Sequence, residues 1–130
     1  MCYNLLIGSD ILKIKIKTKL KNKKETHIFE GSGIKSKNII TYNDNNIITK
    51  IIIEDVITIE RKKDYYLKIH LKEGIKLEGK YMTNYGDIKI STYTKKIESK
   101  EKYLKIIYDL IINNEYIDTF TYNLEYSIDS

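Results

Sequence analysis

The sequence predicts an all-β domain in which an antiparallel up-and-down meander of about 8–10 short strands closes on itself. Three observations predict this fold class. From Ile11 onward, apolar and polar residues alternate with a period of two, as side chains do along a half-buried strand. No window of helical length keeps the i, i+3, i+4 spacing of an amphipathic helix. Short polar clusters interrupt the alternation at close intervals, as tight turns between neighbouring strands do.

The strands follow in chain order, and most of them end at a polar cluster. We predict strands at 11–21, 25–34, 37–42, 47–53, 56–61, 65–72, 75–82, 87–94, 103–112 and 116–128. The clusters are NKK at 22–24, NDNN at 43–46, RKKD at 61–64, KEG at 72–74, TNYGD at 83–87 and NNE at 113–115. KKIESKEK at 95–102 is the longest charged stretch, and it is either an exposed hairpin tip or a short helical turn.

Most of these strands are apolar on one face only. In the first strand Leu12, Ile14 and Ile16 point one way and lysines point the other. The same one-sided pattern recurs at 65–71, 104–112 and 120–128. A flat open sheet of this many strands would expose unpaired edges. We therefore expect closure into a barrel or a two-layer sandwich around one common interior.

Length and composition indicate one domain in a reducing compartment. A chain of 130 residues is the size of a single core, and 42% hydrophobic residues are enough to form one. We assign residues 1–10 to an N-terminal extension and residues 11–130 to the domain. Cys2 is the sole cysteine, so no internal disulfide is predicted. The first residues show neither a signal-peptide pattern nor a membrane span, so the expected localisation is cytoplasmic.

The strand-turn-strand segment YMTNYGDIKISTY at 81–93 carries a family pattern. Its first half reads Y-x-T-x-Y-G, from Tyr81 to Gly86, and alternating isoleucines follow. Together with KIKIKTKL in the first strand and VITIER at 56–61, this order of motifs resembles the YwiB-like family of small uncharacterised bacterial proteins. The resemblance covers roughly residues 11–128. It implies a lipocalin-like (calycin) antiparallel β-barrel and brings no established activity with it.

Lysines occupy every second position of the first strand, at Lys13, Lys15, Lys17 and Lys19. The chain's net charge is +5, and all of this excess lies on that strand and the turn after it. Four ammonium groups on one face could bind nucleic acid or an acidic protein. The alternative is the solvated face of an ordinary strand, where lysine also discourages edge pairing. No aromatic side chain lies between the lysines to stack on bases, so we favour the solvated face.

Arg61 is the sole arginine, and it ends the row Ile57, Ile59, Arg61 that we expect to face inward. A guanidinium binds carboxylates and phosphates bidentately and tolerates partial burial. Arg61 at a barrel mouth is therefore a candidate anchor for an acidic ligand. The alternative is that Arg61 begins the RKKD turn and points into water, or pairs with Asp64 or Glu60.

Three tyrosines are candidates to line a ligand cavity with Arg61. Tyr81, Tyr122 and Tyr126 fall on apolar rows, where each phenol has an apolar body and a polar tip that needs a partner. A barrel of about eight strands either holds one small ligand or is filled by its own side chains. The sequence leaves both arrangements open.

Motifs for catalysis and metal binding are absent from the sequence. His27 and His70 are the sole histidines, and no cysteine or histidine cluster has metal-ligand spacing. We therefore expect a cytoplasmic barrel that is not an enzyme, has no metal or cofactor, and binds a small apolar or acidic ligand in its interior. The alternative is a basic accessory protein that binds nucleic acid or an acidic protein through the first-strand lysines.

Overall fold

The computed structural model describes residues 11–129, and the regular elements within them are all β-strands. The strands are β1 Ile11–Lys21, β2 Thr26–Ser36, β3 Ile39–Asp44, β4 Ile47–Ile52, β5 Ile57–Lys62, β6 Tyr66–Leu71, β7 Lys76–Glu78, β8 Lys80–Thr83, β9 Gly86–Ile88, β10 Ile90–Lys100, β11 Tyr103–Ile112 and β12 Glu115–Ile128. They form one sheet in the order β7-β10-β11-β12-β1-β2-β3-β4-β5-β6-β8-β9. No helix in this part of the chain is long and apolar enough to cross a membrane.

Two hairpins turn on pairs of asparagines. Asn45 and Asn46 join β3 to β4, Asn113 and Asn114 join β11 to β12, and all four have φ angles between 51° and 72°. Asparagine tolerates this left-handed region because its short side chain hydrogen-bonds the local backbone. Two-residue turns of this kind match the twist of the flanking strands. The polar clusters in the sequence therefore fix the register of both hairpins.

The sheet closes through one stretch of chain, residues 76–83. Its first part, β7, pairs with β10, and its second part, β8, pairs with β6. Gly79 lies where the partner changes, and its N–H donates to the Ile90 carbonyl at 3.0 Å. A Cβ at Gly79 would overlap the Lys68 carbonyl oxygen. Because this one stretch pairs with β10 near one end of the sheet order and with β6 near the other, the meander curls round into a half-barrel. The predicted all-β lipocalin-like fold is confirmed.

The barrel interior has an apolar half and a polar half along its length. Aliphatic side chains from facing strands fill the apolar half and are almost fully buried: Ile14, Ile16, Ile40, Ile51, Leu71, Leu104, Ile106 and Leu124. Each stabilises the fold by about 1.5–3 kcal/mol relative to an exposed position. Tyrosine, threonine and charged side chains occupy inward positions in the polar half, among them Tyr42, Asp44 and Arg61. The main hydrophobic core is therefore at one end, and the other end can form a site.

Two of the ten predicted strands divide in the structure, which gives twelve strands in the described part of the chain. The predicted strand at 75–82 becomes β7 and β8, with Gly79 between them. The predicted strand at 87–94 becomes β9 and β10, with Lys89 between them.

The charged stretch at 95–102 is mostly strand. β10 passes through an irregularity between Thr94 and Lys96 and continues to Lys100. The turn of the hairpin is confined to Glu101 and Lys102. The stretch is therefore the end of a hairpin rather than a helical turn. The predicted N-terminal extension at 1–10 lies outside the described residues.

Candidate functional site

The polar half of the barrel contains a cavity of about 130 Å³. Its lining residues are Thr18, Leu20, His27, Tyr42, Asp44, Thr49, Ile59, Arg61, Leu67, Tyr108, Leu110, Phe120 and Tyr122. Three of them can carry full charges at neutral pH: His27, Asp44 and Arg61. The cavity therefore combines a small charged cluster with phenol hydroxyls and apolar walls.

Asp44 is the centre of the charged cluster. Its side chain is 2% exposed, and its Oδ2 contacts His27 Nε2 at 2.8 Å and Arg61 Nη2 at 3.5 Å. The first contact is a hydrogen bond, and the second is an ion pair longer than the roughly 2.7–3.2 Å of an N–H···O bond. Arg61 Nε is buried and has no hydrogen-bond partner within residues 11–129. The guanidinium therefore keeps a donor that no described group uses.

Strand alternation and a tight turn bring these charges together. Ile40, Tyr42 and Asp44 are successive inward residues of β3, and the turn at 45–46 follows at once. The same alternation along β5 turns Arg61 inward at the end of a row of buried isoleucines. Because β4 pairs with both β3 and β5, these strand ends lie side by side at the polar half of the barrel.

Two tyrosine hydroxyls meet inside the barrel close to the charged cluster. Tyr42 on β3 and Tyr122 on β12 share a hydrogen bond of 2.8 Å between their hydroxyl oxygens. Phe29 stacks on Tyr42 with ring centroids 5.0 Å apart, and Phe120 stacks on Tyr108 at 5.7 Å. Stacked aromatic rings favour one orientation of each phenol, so the hydroxyls point to fixed positions in the cavity.

Burial sets the protonation state of the cavity tyrosines. It raises the pKa of Tyr42, Tyr108 and Tyr122 above the usual tyrosine value, because a phenolate would be poorly solvated there. The positive charge of Arg61 acts in the opposite direction on each pKa and is a smaller effect. All three phenols therefore stay neutral near pH 7 and can donate hydrogen bonds.

The cavity approaches solvent where β2 and β3 separate. The two strands pair only between Gly33–Ser36 and Ile39–Tyr42, so the cavity end of β2 has no ladder to β3. Side chains span this gap instead: His27 reaches Asp44, and Phe29 stacks on Tyr42. The His27 side chain is 48% exposed, so its ring stands between the buried carboxylate and water.

The structure brings together two of the four residues that the sequence suggests for ligand binding. Arg61 and Tyr122 both line the cavity, and the ion-pair partner of Arg61 is Asp44 rather than Asp64 or Glu60. Tyr81 and Tyr126 lie outside the cavity lining.

Tyr81 on β8 is half-buried and packs edge-to-face on Tyr65, with ring centroids 6.2 Å apart. Tyr126 on β12 borders a wide surface depression together with Lys15 and Lys17. These two tyrosines therefore support the wall of the barrel and its outer surface.

The lysines of the first strand lie on its outer face. Lys13, Lys15, Lys17 and Lys19 are all exposed and alternate with inward residues. Acidic residues break the basic row, because Glu30 on β2 and Glu125 on β12 are the direct cross-strand partners of Lys17.

His27, Tyr42 and Asp44 are cavity residues that the sequence prediction missed. Asp44 falls in the NDNN cluster, where an acidic residue is ordinary in a turn. The available signal is that Ile40, Tyr42 and Asp44 continue one inward row up to the turn. His27 carries no such signal, because its partner is 17 residues away and the contact depends on how β2 leaves β3.

Within residues 11–129, no group of three or more histidine, cysteine, aspartate and glutamate side chains could hold a metal ion. The cluster instead offers one carboxylate, one imidazole and one guanidinium. Such a set suits recognition of an anion by charge and hydrogen bonds.

Comparisons with known proteins agree with the fold. A family model described as domain of unknown function DUF1934 matches residues 12–124. The crystal structure of the ywiB protein from Bacillus subtilis is similar, with a TM-score of 0.59 and 14% sequence identity. The match covers 91% of this chain and 92% of that chain. At this identity the likeness shows the fold alone. The comparison with curated proteins finds no match.

Proposed function

The chain belongs to the DUF1934 family of domains of unknown function, and from this premise we propose that its barrel binds a small anionic molecule in the cavity at Arg61. One observation carries the proposal. Arg61 lines the cavity, and its Nε is buried without a hydrogen-bond partner in the described chain. A buried donor left unpaired costs about 1–3 kcal/mol. An oxyanion in the cavity would accept that hydrogen bond and remove the cost.

The hydrogen-bonding groups favour a carboxylate or a similar oxyanion. Arg61 can present two parallel N–H donors to such a group. In the Tyr42–Tyr122 pair one hydroxyl hydrogen joins the two oxygens, so the accepting hydroxyl has a hydrogen of its own that can donate to a ligand or to a neighbouring hydroxyl such as that of Thr18. The phenols are neutral and do not repel an anion. The site therefore offers donors of two kinds around one cavity.

The volume limits the ligand to a few heavy atoms. A cavity of about 130 Å³ is well below the roughly 300–1,000 Å³ of pockets that hold drug-sized ligands. Of the two ligand types predicted from the sequence, apolar or acidic, the small acidic one fits this volume and charge better. A long apolar ligand would have to displace the buried side chains of the apolar half.

The basic first strand supports the rival function less well. Its lysines are exposed, but Glu30 and Glu125 flank Lys17 and oppose a polyanion. If RNA or DNA were the ligand, affinity would fall steeply with salt and with all four lysines changed to glutamine. We expect neither this salt dependence nor a loss of binding when the four lysines are changed to glutamine.

Calorimetric titration tests the proposal with matched probes. Glycolate and glycolamide have nearly the same shape, but only glycolate carries a charge. We expect glycolate to bind with one-to-one stoichiometry near pH 6 and glycolamide to bind at least about tenfold more weakly, the equivalent of one charge-assisted hydrogen bond. Formate and inorganic phosphate extend the panel to a smaller and a larger oxyanion.

Variants of neighbouring cations locate the binding. Arg61→Gln should lose glycolate binding, and Lys62→Gln on the outer face of the same strand should keep it. Arg61→Gln removes the guanidinium that compensates the buried charge of Asp44, which lowers stability. The double variant Asp44→Asn with Arg61→Gln removes both charges and therefore provides a folded comparison. The proposal fails if no anion of the panel binds, or if Arg61→Gln and Lys62→Gln bind glycolate equally well.

A further inference from the structure

We infer that the cavity takes up its anion together with one proton on His27, which makes the preferred ligand a small monoanion bound more tightly at acidic pH. This inference rests on the proposed function and adds the charge of the ligand and the coupling to pH. It assigns to His27, which is 48% exposed at the edge of the cavity, a role in setting the charge of the site.

The geometry that carries the inference is the sharing of one oxygen. His27 Nε2 and Arg61 Nη2 both contact Asp44 Oδ2, at 2.8 Å and 3.5 Å. A carboxylate oxygen only accepts hydrogen bonds, so His27 Nε2 carries a hydrogen and donates it. That contact is the same whether the ring is neutral or protonated, because the second proton binds at Nδ1. The site can therefore change its charge without changing its contacts.

The charge balance decides what the cavity accepts. With a neutral His27, the positive Arg61 and the negative Asp44 cancel, and an anion would enter a site with no net charge. With a protonated His27, the cluster has a charge of +1, and one monoanion makes the filled cavity neutral. Charge in a partly buried site is costly unless it is compensated, so the protonated form binds the monoanion better.

Five other ionisable side chains line the cavity with His27, and they come from four strands. The titratable or charged side chains that line the cavity are His27 from β2, Tyr42 and Asp44 from β3, Arg61 from β5, Tyr108 from β11 and Tyr122 from β12. Strands β1, β4 and β6 contribute only Thr18, Leu20, Thr49 and Leu67. Burial raises the pKa of the three tyrosines, so they stay neutral. Histidine is the side chain that ordinarily changes charge between about pH 5 and pH 8.

Titration of glycolate as a function of pH tests the inference, because this probe stays ionised from about pH 5 to pH 8. We expect affinity to fall at least about tenfold across that range, with a limiting slope of about tenfold per pH unit for one linked proton. Titrations in buffers of different ionisation enthalpy should show proton uptake on binding. His27→Gln keeps an amide donor for Asp44 but cannot be protonated. It should bind glycolate weakly at every pH, like the wild type near pH 8.

His70→Gln is the matched control, because it removes the chain's other histidine. His70 lies on β6 and hydrogen-bonds Thr58 through Nδ1 at 3.0 Å, away from the cavity. The His70→Gln substitution should leave the pH dependence of glycolate binding intact. If glycolate binds equally across the range, or if His27→Gln keeps the dependence, the inference is wrong while the proposed function stands. If glycolate binds at no pH, both are wrong.

Discussion

Asp44 is the residue whose loss should cost the most in the polar half of the barrel. Its carboxylate is buried and compensates two neighbouring groups, His27 and Arg61. We expect Asp44→Asn to lower the free energy of unfolding by about 2–4 kcal/mol. This is slightly below the roughly 3–5 kcal/mol for a fully buried pair, because 20% of the Arg61 side chain is exposed.

Urea unfolding at pH 7 measures this loss. Adding Arg61→Gln to Asp44→Asn should recover part of the stability, because the uncompensated guanidinium is then gone. A single Asp44→Asn change that costs less than about 0.5 kcal/mol, the range of ordinary surface substitutions, would contradict the ion cluster.

The Tyr42–Tyr122 pair should behave as one unit. Each single change to phenylalanine leaves the partner hydroxyl unpaired, so we expect a loss of about 1–2 kcal/mol for either one. The double change should cost less than the sum of the single changes by about 1 kcal/mol, since it leaves no orphan hydroxyl. Denaturant unfolding of the four proteins in the cycle measures this coupling. Additive losses would show that the hydroxyls do not interact.

At the scale of the strands, Gly79 explains why the single strand predicted at 75–82 forms two strands in the structure. The residues at 75–82 alternate like one strand, and the chain there does run on without a turn. The partner changes from β10 to β6 at Gly79, because only a residue without a side chain fits against the Lys68 carbonyl. Sequence alternation reports which face a residue occupies, but it carries no information on which strand lies beside it.

Gly79→Ala should therefore destabilise the barrel at its closure. We expect a loss of about 2–3 kcal/mol, because the new methyl group meets backbone that cannot move without breaking a ladder. Gly31→Ala is the matched control, since its methyl group meets the ring of Phe29, a side chain that can turn aside. Thermal and urea unfolding compare the two variants. Equal losses would contradict the role of Gly79 in closure.

For the whole molecule, the sequence predicts the fold more fully than the site. Period-two alternation and turn clusters are local, so they predict the meander, and the motif order predicts the family. Arg61 and Tyr122 are recognisable because each extends an apolar inward row. Asp44 also ends an inward row, but it falls in a turn cluster where an acidic residue is ordinary. His27 carries no such signal, because its contact with Asp44 requires β2 to separate from β3 at one end of the barrel. The charged cluster is thus a product of tertiary geometry.

The buried phenols should make the whole fold sensitive to alkaline pH. Their pKa values are raised in the folded state, so their contribution to stability is fully present below about pH 10 and is lost as pH rises further. The slope should reach about 1.4 kcal/mol per pH unit for each tyrosine that stays protonated only when folded. Urea unfolding between about pH 8 and pH 11 measures it. Tyr108→Phe should flatten the slope, whereas Tyr85→Phe, at a fully exposed position, should leave it unchanged.

The most direct test of anion binding at Arg61 uses the fact that the chain has one arginine. In a ¹⁵N-labelled protein the arginine Nε–Hε group gives one cross-peak, and that group is the buried donor without a described partner. Titration with glycolate near pH 6 should shift this peak saturably, at the same midpoint as calorimetry, whereas glycolamide should leave it in place. A peak that stays unmoved while glycolate binds elsewhere, or that moves equally with glycolamide, would contradict the assignment of the cavity as an anion site.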